Sequence, residues 1–351
     1  MATNADRSGE LTEAIRAATS PLQLLGGGTK RFYGRQIDGH ALHVAGHCGI
    51  VSYEPTELVI SARAGTPLAH IESTLARSNQ MLGFEPPRFG EAATLGGTVA
   101  CGLSGPRRPY AGSARDFVLG VKIVNGKGER MAFGGQVMKN VAGYDVSRLM
   151  VGALGTLGLL LEISLKVLPQ PERELTLGYA LPLGEALARI ASWSGKPLPL
   201  SAACHVNDTL YIRLSGSDSA VAAARAALGG EEIPRGTDFW TELREHRLPF
   251  FREDEPLWRV SVPPAAHLSI AGEWLIDWGG AQRWLKTSLP ATEIWRAAEH
   301  AGGHATLFRG GDRAGEVFHP LSPVLARLHR NLKHAFDPAG ILNPGRYTTA
   351  W

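Results

Sequence analysis

The sequence predicts an α+β protein in three parts: a glycine-rich N-terminal half, a smaller α+β cap, and a C-terminal helix with a tail. Three observations carry that reading. Glycine is the outlier, 42 of 351 residues, and many glycines cluster before residue 160 between segments that read as strand, turn and helix. The character of the chain changes after Pro169-Gln170-Pro171, where short strands and most of the tryptophans follow. A regular helical stripe returns near residue 322 and stops at Asp337-Pro338. The expected parts are 1–171, 172–318 and 319–351, with no internal repeat.

The elements follow in order. Leu11, Ala14, Ile15 and Ala18 put one apolar face on a helix over about Glu10–Ala18. "LQLLGGG" is a short strand running into glycines. "LVISARAGTPLAHIESTLARSN" reads as strand, turn and helix, with Thr66 as N-cap, Pro67 at N1 and a stripe of Leu68, Ile71 and Leu75. "FVLGVKIVNGKGERMAFGG" is a hairpin turning at Asn125-Gly126. "LGLLLEISLKVLPQPE" is a long strand ended by prolines. An Ala-rich helix is expected near 219–228. In the last helix Ser322 is the N-cap, Pro323 is N1, and Leu325, Leu328, Leu332 and Phe336 share one face.

Composition excludes several classes. Hydrophobic residues at 44% and charged residues at 20% describe a globular chain, and a net charge of +3 is too balanced for a nucleic-acid surface. Cys48, Cys101 and Cys204 are far apart, so they form neither a disulfide framework nor a cluster or zinc site, which suits a reducing, cytoplasmic compartment. The N-terminus has no secretory pattern. The apolar run near 149–168 is broken by Gly152, Gly155, Gly158, Glu162 and Lys166, so no transmembrane segment is expected.

Four glycine sites carry the chemistry. In "LLGGGTKRFYG", Gly26, Gly27, Gly28 and Thr29 can turn successive amides toward an anion, or form an ordinary turn. In "ATLGGTVACGLSG", Thr94 caps a helix whose first turn holds Gly96 and Gly97, each costing about 1 kcal/mol of helix stability. Unpaired amides and the helix dipole there suit a diphosphate, and the alternative is a tight helix crossing. In "YAGSARDFVLG", Gly112 can take a positive φ and Asp116 can cap a turn. In "GALGTLGLLLEI" the spacing is G-x-x-G-x-x-G before a strand, which rules out the Rossmann fingerprint.

Taken together these four sites resemble the flavin-binding fold of the vanillyl-alcohol oxidase / p-cresol methylhydroxylase class (PCMH-type), over about Pro21 to Pro169, with "GILNPGR" similar to that class's C-terminal return. "GPRRPYAGSARDFVLGVKIVNGKGE", "GGQVMKNVAGYDVSRLMVGALGTLGLLLEISLKVLP", "WLIDWGGAQRWL" and "FDPAGILNPGR" resemble the E-subunit family of the bacterial glycolate oxidases nearly end to end. The resemblance implies two α+β subdomains holding FAD, a reduced cap, and a C-terminal helix returning to the cofactor. It implies that Gly26, Gly27, Gly28 and Thr29 lie at the diphosphate, and Ala93, Thr94, Gly96, Gly97 and Thr98 along the diphosphate and ribityl side. Ser104, Gly105, Gly112, Asp116 and Val118 would line the remaining wall. Gly155, Gly158 and Leu161 would make the last backbone contacts, and Asn343 the C-terminal one. The first loop reads Gly28-Thr29-Lys30, without the histidine that links FAD covalently in some members, so non-covalent FAD is expected.

The apparatus for a substrate is missing. Related D-2-hydroxy-acid dehydrogenases carry an "HxGDGNxH"-type element whose imidazoles and carboxylate can hold a divalent metal. His205 has no second histidine at ligand spacing, and His300 and His304 are separated by two glycines, so no metal is expected. Arg107, Arg108 and Arg309 could pair a carboxylate but read better as surface or phosphate neighbours, and no catalytic residue is assigned. Trp240, Trp258, Trp274, Trp278, Trp284 and Trp295 suit core packing, with a subset available to a subunit interface; Trp274 and Trp278 would share one face of a strand. The resemblance implies an FAD-binding subunit of a hetero-oligomeric oxidase that converts glycolate to glyoxylate, supporting electron transfer or assembly. Its partners would be a larger flavin subunit and an iron–sulfur subunit, with peripheral contact to the inner membrane through them. The alternatives are a self-sufficient FAD-dependent D-2-hydroxy-acid dehydrogenase and a scaffold without flavin.

Overall fold

The computed structural model describes residues 4–135, 145–252 and 255–351; residues 136–144, inside one of the stretches that carry the resemblance, lie outside it. The chain forms two units. One comprises Met1–Leu103, Ser113–Pro169 and Arg313–Trp351, the other Ser104–Gly112 and Gln170–Asp312.

The first unit is built on a five-stranded antiparallel sheet, in the order Ile50–Glu54, Val59–Arg63, Leu159–Lys166, Val118–Val124 and Arg130–Gly134. The central strand, "LLLEISLK", is apolar at consecutive positions because both faces are covered: Leu159, Leu160, Leu161, Ile163 and Leu165 are all buried. Ser164 in that strand is buried too, and its hydroxyl meets Ser61 Oγ of the neighbouring strand at 2.7 Å. The hairpin forms as expected. Asn125 Oδ1 accepts the Lys127 and Glu129 amides at 3.0 Å each, which turns the chain without help from the strands. A separate parallel pair joins Leu22–Leu25 to His40–His43.

Local signals place the helices they predicted within a residue or two, whereas Leu183–Ser194, Gly236–Arg244 and Ala291–His300 of the second unit were not expected. The first helix spans Ser8–Arg16 and buries Leu11 and Ile15. The helix Leu68–Ala76 fully buries Leu68, Ile71 and Leu75, each worth roughly 1.5–3 kcal/mol of apolar transfer. Thr66 does not cap it. Its hydroxyl accepts the Gly49 amide at 2.9 Å and donates to the Arg63 carbonyl at 2.7 Å, and extended Pro67 flanks the helix instead. The last helix, Pro323–Phe336, does start from a Ser322 cap. Its leucine face is turned the wrong way for a core: Leu325 and Leu328 are exposed, and Lys333 is buried.

The second unit is an eight-stranded antiparallel sheet. Its order is Glu231–Glu232, Arg173–Ala180, Thr209–Gly216, Leu200–Val206, Glu273–Asp277, Gln282–Lys286, Leu257–Ser261 and His304–Arg309. Leu177, Leu210, Ile212 and Leu214 pack with Ile190 and Trp193 of helix Leu183–Ser194, and with Val221 of the Ala-rich helix Asp218–Leu228. Trp240, Trp258 and Trp284 are buried in this unit. Trp278 does not alternate with Trp274, because the strand ends at Asp277 and Trp278 turns to φ 53°. No described helix is long and apolar enough to cross a membrane.

Candidate functional site

A cleft in the first unit opens where strand Leu22–Leu25 runs out into the glycine loop. Gly26, Gly27, Gly28 and Thr29 form one wall, Thr94, Gly96 and Gly97 a second, and Gly155, Gly158 and Asn343 close it. Thus residues more than 300 positions apart in the sequence meet around one space.

Each wall has a local cause. A Cβ on Gly26 would strike the Thr94 hydroxyl, and one on Gly27 would fall on the Ala92 carbonyl, so the loop lies against the 92–94 turn with no room for a side chain. Gly28 turns at φ 74°, a left-handed conformation that favours glycine, and its carbonyl accepts the Arg31 amide at 3.2 Å. The amides of Gly27, Gly28 and Thr29 have no acceptor among the described residues. Three adjacent donors facing a cleft form a nest for an anion. Thr29 Oγ1 and Lys30 Nζ both donate to the Arg88 carbonyl, at 2.8 and 3.1 Å, which fixes the loop at its exit.

The second wall corrects an expectation. Thr94 caps the helix Leu95–Cys101, accepting the Gly97 amide at 3.3 Å. The other first-turn amides are also spent inside the chain: Leu95 donates to the Thr66 carbonyl at 2.9 Å and Gly96 to the Ala64 carbonyl at 2.7 Å. No unpaired amide is left there for a diphosphate, and the donors are instead in the glycine loop. The two glycines also differ. A Cβ on Gly96 would sit 2.7 Å from the Ala64 methyl, so this glycine is required by packing. One on Gly97 would meet the Thr94 hydroxyl at 3.2 Å and nothing closer, so the fold leaves that space to the cleft.

Asn343 closes the cleft with its side chain. Nδ2 donates to the Leu154 carbonyl at 2.7 Å and Oδ1 accepts the Leu24 amide at 2.8 Å, while its backbone is held at φ 43°. A Cβ on Gly155 would lie 2.7 Å from Asn343 Nδ2, so that glycine makes room for the asparagine.

The remaining predicted residues have other places. Ala93, Thr98, Val118 and Leu161 are buried; the Ala93 carbonyl takes the Leu68 amide and the Leu161 carbonyl takes the Ala64 amide, both at 2.8 Å. Thr98 Oγ1 is buried with no hydrogen-bond partner among the described residues. Asp116 Oδ2 accepts the amide and hydroxyl of Ser113 at 2.8 Å each, capping the turn Ala114–Phe117. Ser104, Gly105 and Gly112 belong to the second unit. There Gly105 accepts from Trp278 Nε1 at 3.0 Å, and Gly112 has φ 111°. Arg107 is buried and paired with Glu174, and Arg108 lies 4.4 Å over the Trp278 ring. His300 ends one helix and exposed His304 begins a strand.

Several cleft residues escaped the sequence reading: Lys30, Arg31, Cys101 and Arg346. Arg346 donates to the carbonyls of Arg31, Tyr33 and Arg35 at 2.8, 2.6 and 2.8 Å, clamping the chain beyond the glycine loop. Its signal was the last letter of "GILNPGR", and the two cations directly follow the glycine loop.

The family described as the FAD binding domain matches residues 2–134, and the C-terminal domain of FAD linked oxidases matches residues 310–347. The chain is 52% identical over 350 residues to glycolate oxidase subunit GlcE of Escherichia coli (strain K12), covering 99% of both chains. This chain belongs to that family of FAD-linked oxidases. A member of the wider group, glycolate oxidase subunit GlcD of Bacillus subtilis (strain 168), is 40% identical over 91 residues, which is 26% of this chain and 19% of that one. The fold is that of p-cresol methylhydroxylase, whose structure superposes with a TM-score of 0.71 at 15% identity, over 98% of this chain and 88% of that one. An alkyldihydroxyacetonephosphate synthase gives a TM-score of 0.66 at 16% identity, over 97% and 75%.

FAD is the family's cofactor, and the cleft suits it. The unpartnered amides of Gly27, Gly28 and Thr29 match the acceptor oxygens of a diphosphate, and Lys30 and Arg31 beside them offset its charge. The open side of Gly97 admits a ligand against the helix backbone.

Proposed function

We propose that this chain is the FAD-binding subunit of a multi-subunit glycolate oxidase, the type of complex that oxidises glycolate to glyoxylate. The observation that carries the reading is end-to-end similarity to a named glycolate oxidase subunit, in a chain whose glycine cleft presents free amides. Bound FAD would supply a redox carrier here, serving electron transfer or assembly within the complex rather than taking a hydride from the substrate in this chain. The chain's own residues hold it: Gly27, Gly28 and Thr29 bind the diphosphate, Gly26, Thr94, Gly96, Gly97, Gly155 and Gly158 shape the walls, and Asn343 joins the tail to the floor. Ala93, Thr98, Val118 and Leu161 support those walls from behind. Asp116 positions the turn before strand Val118–Val124. Among the described residues no histidine lines the cleft, which supports dissociable FAD.

What the chain holds supports a division of labour. Arg107 is neutralised by Glu174 and Arg108 is stacked on Trp278, so neither is poised to take a substrate carboxylate. Substrate oxidation then falls to a larger flavin subunit and onward electron transfer to an iron–sulfur subunit, with this chain cytoplasmic and at the membrane through its partners. The test is an anaerobic flavin spectrum of the isolated chain before and after glycolate. A bound flavin that stays oxidised fits the partner-dependent subunit. Bleaching would identify a self-sufficient dehydrogenase, and absence of flavin a scaffold.

A further inference from the structure

The helix Pro323–Phe336 is inside out. A surface helix ordinarily buries its apolar stripe and shows its charges to water. Here the inner side holds Lys333, whose Nζ donates to the Thr156 carbonyl at 2.8 Å, the Leu342 carbonyl at 2.7 Å and Asp337 Oδ2 at 2.6 Å. His329 lies on the same side, its ring 5.5 Å from that of Tyr347. The outer side carries Val324, Leu325 and Leu328, which are 59, 47 and 49% exposed. At about 100° per residue, these three and half-buried Leu332 form one continuous apolar strip. Beside it runs a second strip of exposed Arg327, Arg330 and His334. The helix contains no carboxylate, and neither arginine has an ion-pair partner among the described residues.

From this we infer that the outer face of helix Pro323–Phe336 is the surface by which this chain docks onto another subunit of the oxidase, against an apolar groove edged on one side by carboxylates. The inference rests on the oxidase-subunit reading. Two features fix the chemistry of the occupant. Leucines held on the outside of a helix that is anchored from within are stabilised when a partner covers them. The cations flank the strip on one side, so complementary charge must come from one edge of the partner's groove and would set the docking register. A membrane surface is the weaker match. The helix is held to the folded body by Lys333, which limits how deep its apolar strip can sink, and its cations do not bracket that strip.

The test uses the full chain with its FAD, co-expressed with the larger flavin subunit and the iron–sulfur subunit and recovered through a tag on this chain. Two variants probe the two strips: L325D/L328D and R327E/R330E. Both should keep bound flavin and the wild-type melting temperature, and both should recover the partner subunits at least about tenfold less well. If the aspartates unfold the chain, the arginine variant, which changes exposed side chains alone, decides. Partner recovery equal to wild type in the folded variants overturns the docking face. So does loss of binding to vesicles of phosphatidylcholine and phosphatidylglycerol, or loss of self-association, with partner recovery intact. A wild-type chain that recovers neither subunit overturns the oxidase-subunit reading instead.

Discussion

Lys333 and Asp337 form a buried ion pair of 2.6 Å, one turn apart at the end of the last helix. Asp337 also accepts the amides of Ile341 at 3.1 Å and Leu342 at 2.7 Å, so the pair fixes the turn that delivers Asn343 to the cleft. The Ile341 carbonyl in turn accepts the Leu22 amide at 2.7 Å, tying the tail to the strand that enters the glycine loop.

Removing one partner strands the other's charge in the interior. Asp337→Asn or Lys333→Met should therefore each cost about 3–5 kcal/mol of unfolding free energy. Urea denaturation followed by tryptophan fluorescence reads the loss directly. A cost below about 1 kcal/mol would mean that water reaches the pair.

Gly96 and Gly97 are neighbours with opposite reasons for being glycine, and alanine separates them. Gly96→Ala drives a methyl against Ala64 and should lower the melting temperature. Gly97→Ala meets the Thr94 hydroxyl and gains helix propensity, so stability should change by less than about 1 kcal/mol. It should nonetheless weaken FAD, read by equilibrium dialysis against the apoprotein. Equal flavin affinity in Gly97→Ala and wild type would remove this glycine from the cofactor wall.

Asn343 spends strain to make two bonds. Asn343→Ala loses both and keeps a side chain at φ 43°, whereas Asn343→Gly loses both and relieves the backbone. Both variants should release flavin on gel filtration, and the glycine variant should be the more stable by about 1 kcal/mol. Retention of flavin by both would assign the asparagine to folding alone.

His246 predicts an acid sensitivity. It is buried with its ring 4.0 Å from Phe251, 4.5 Å from Trp284 and 5.2 Å from Phe308. Burial holds its pKa well below the ordinary histidine value, helped by the charges of Arg309 and Arg259. The unfolded chain therefore takes up a proton near pH 6.5 that the folded chain refuses. Stability contributed by the neutral ring is present above that pH and is lost as pH falls below it, by up to about 1.4 kcal/mol per pH unit. His246→Phe should flatten the dependence of the urea midpoint on pH between 7.5 and 5.5. An unchanged slope would assign the acid sensitivity to other groups.

Local patterns made much of the chain legible. The Asn125 turn, the Thr94 and Ser322 caps, and the Leu68, Ile71 and Leu75 stripe are decided by neighbours within four residues, and the structure has each of them. Thr66 was misread because its hydroxyl was claimed by Gly49, seventeen residues away, and no local pattern records that competitor. Trp278 was misread because alternation along a strand does not reveal where the strand stops.

By itself, then, the sequence determined the elements of the N-terminal half, the Ala-rich and last helices, and the caps at Thr94 and Ser322, since these depend on spacing along the chain, while its glycine loops pointed to a flavin protein through their resemblance to a known family. Tertiary structure decided which glycine serves packing and which borders the cleft, because Ala64 reaches one and not the other. It decided that the first-turn amides of helix Leu95–Cys101 are already spent, because Thr66 and Ala64 carbonyls lie above them. It also decided which way the last helix faces. Periodicity puts four leucine and phenylalanine side chains on one side, but the three acceptors that capture Lys333 turn that helix so that Leu325 and Leu328 meet the solvent.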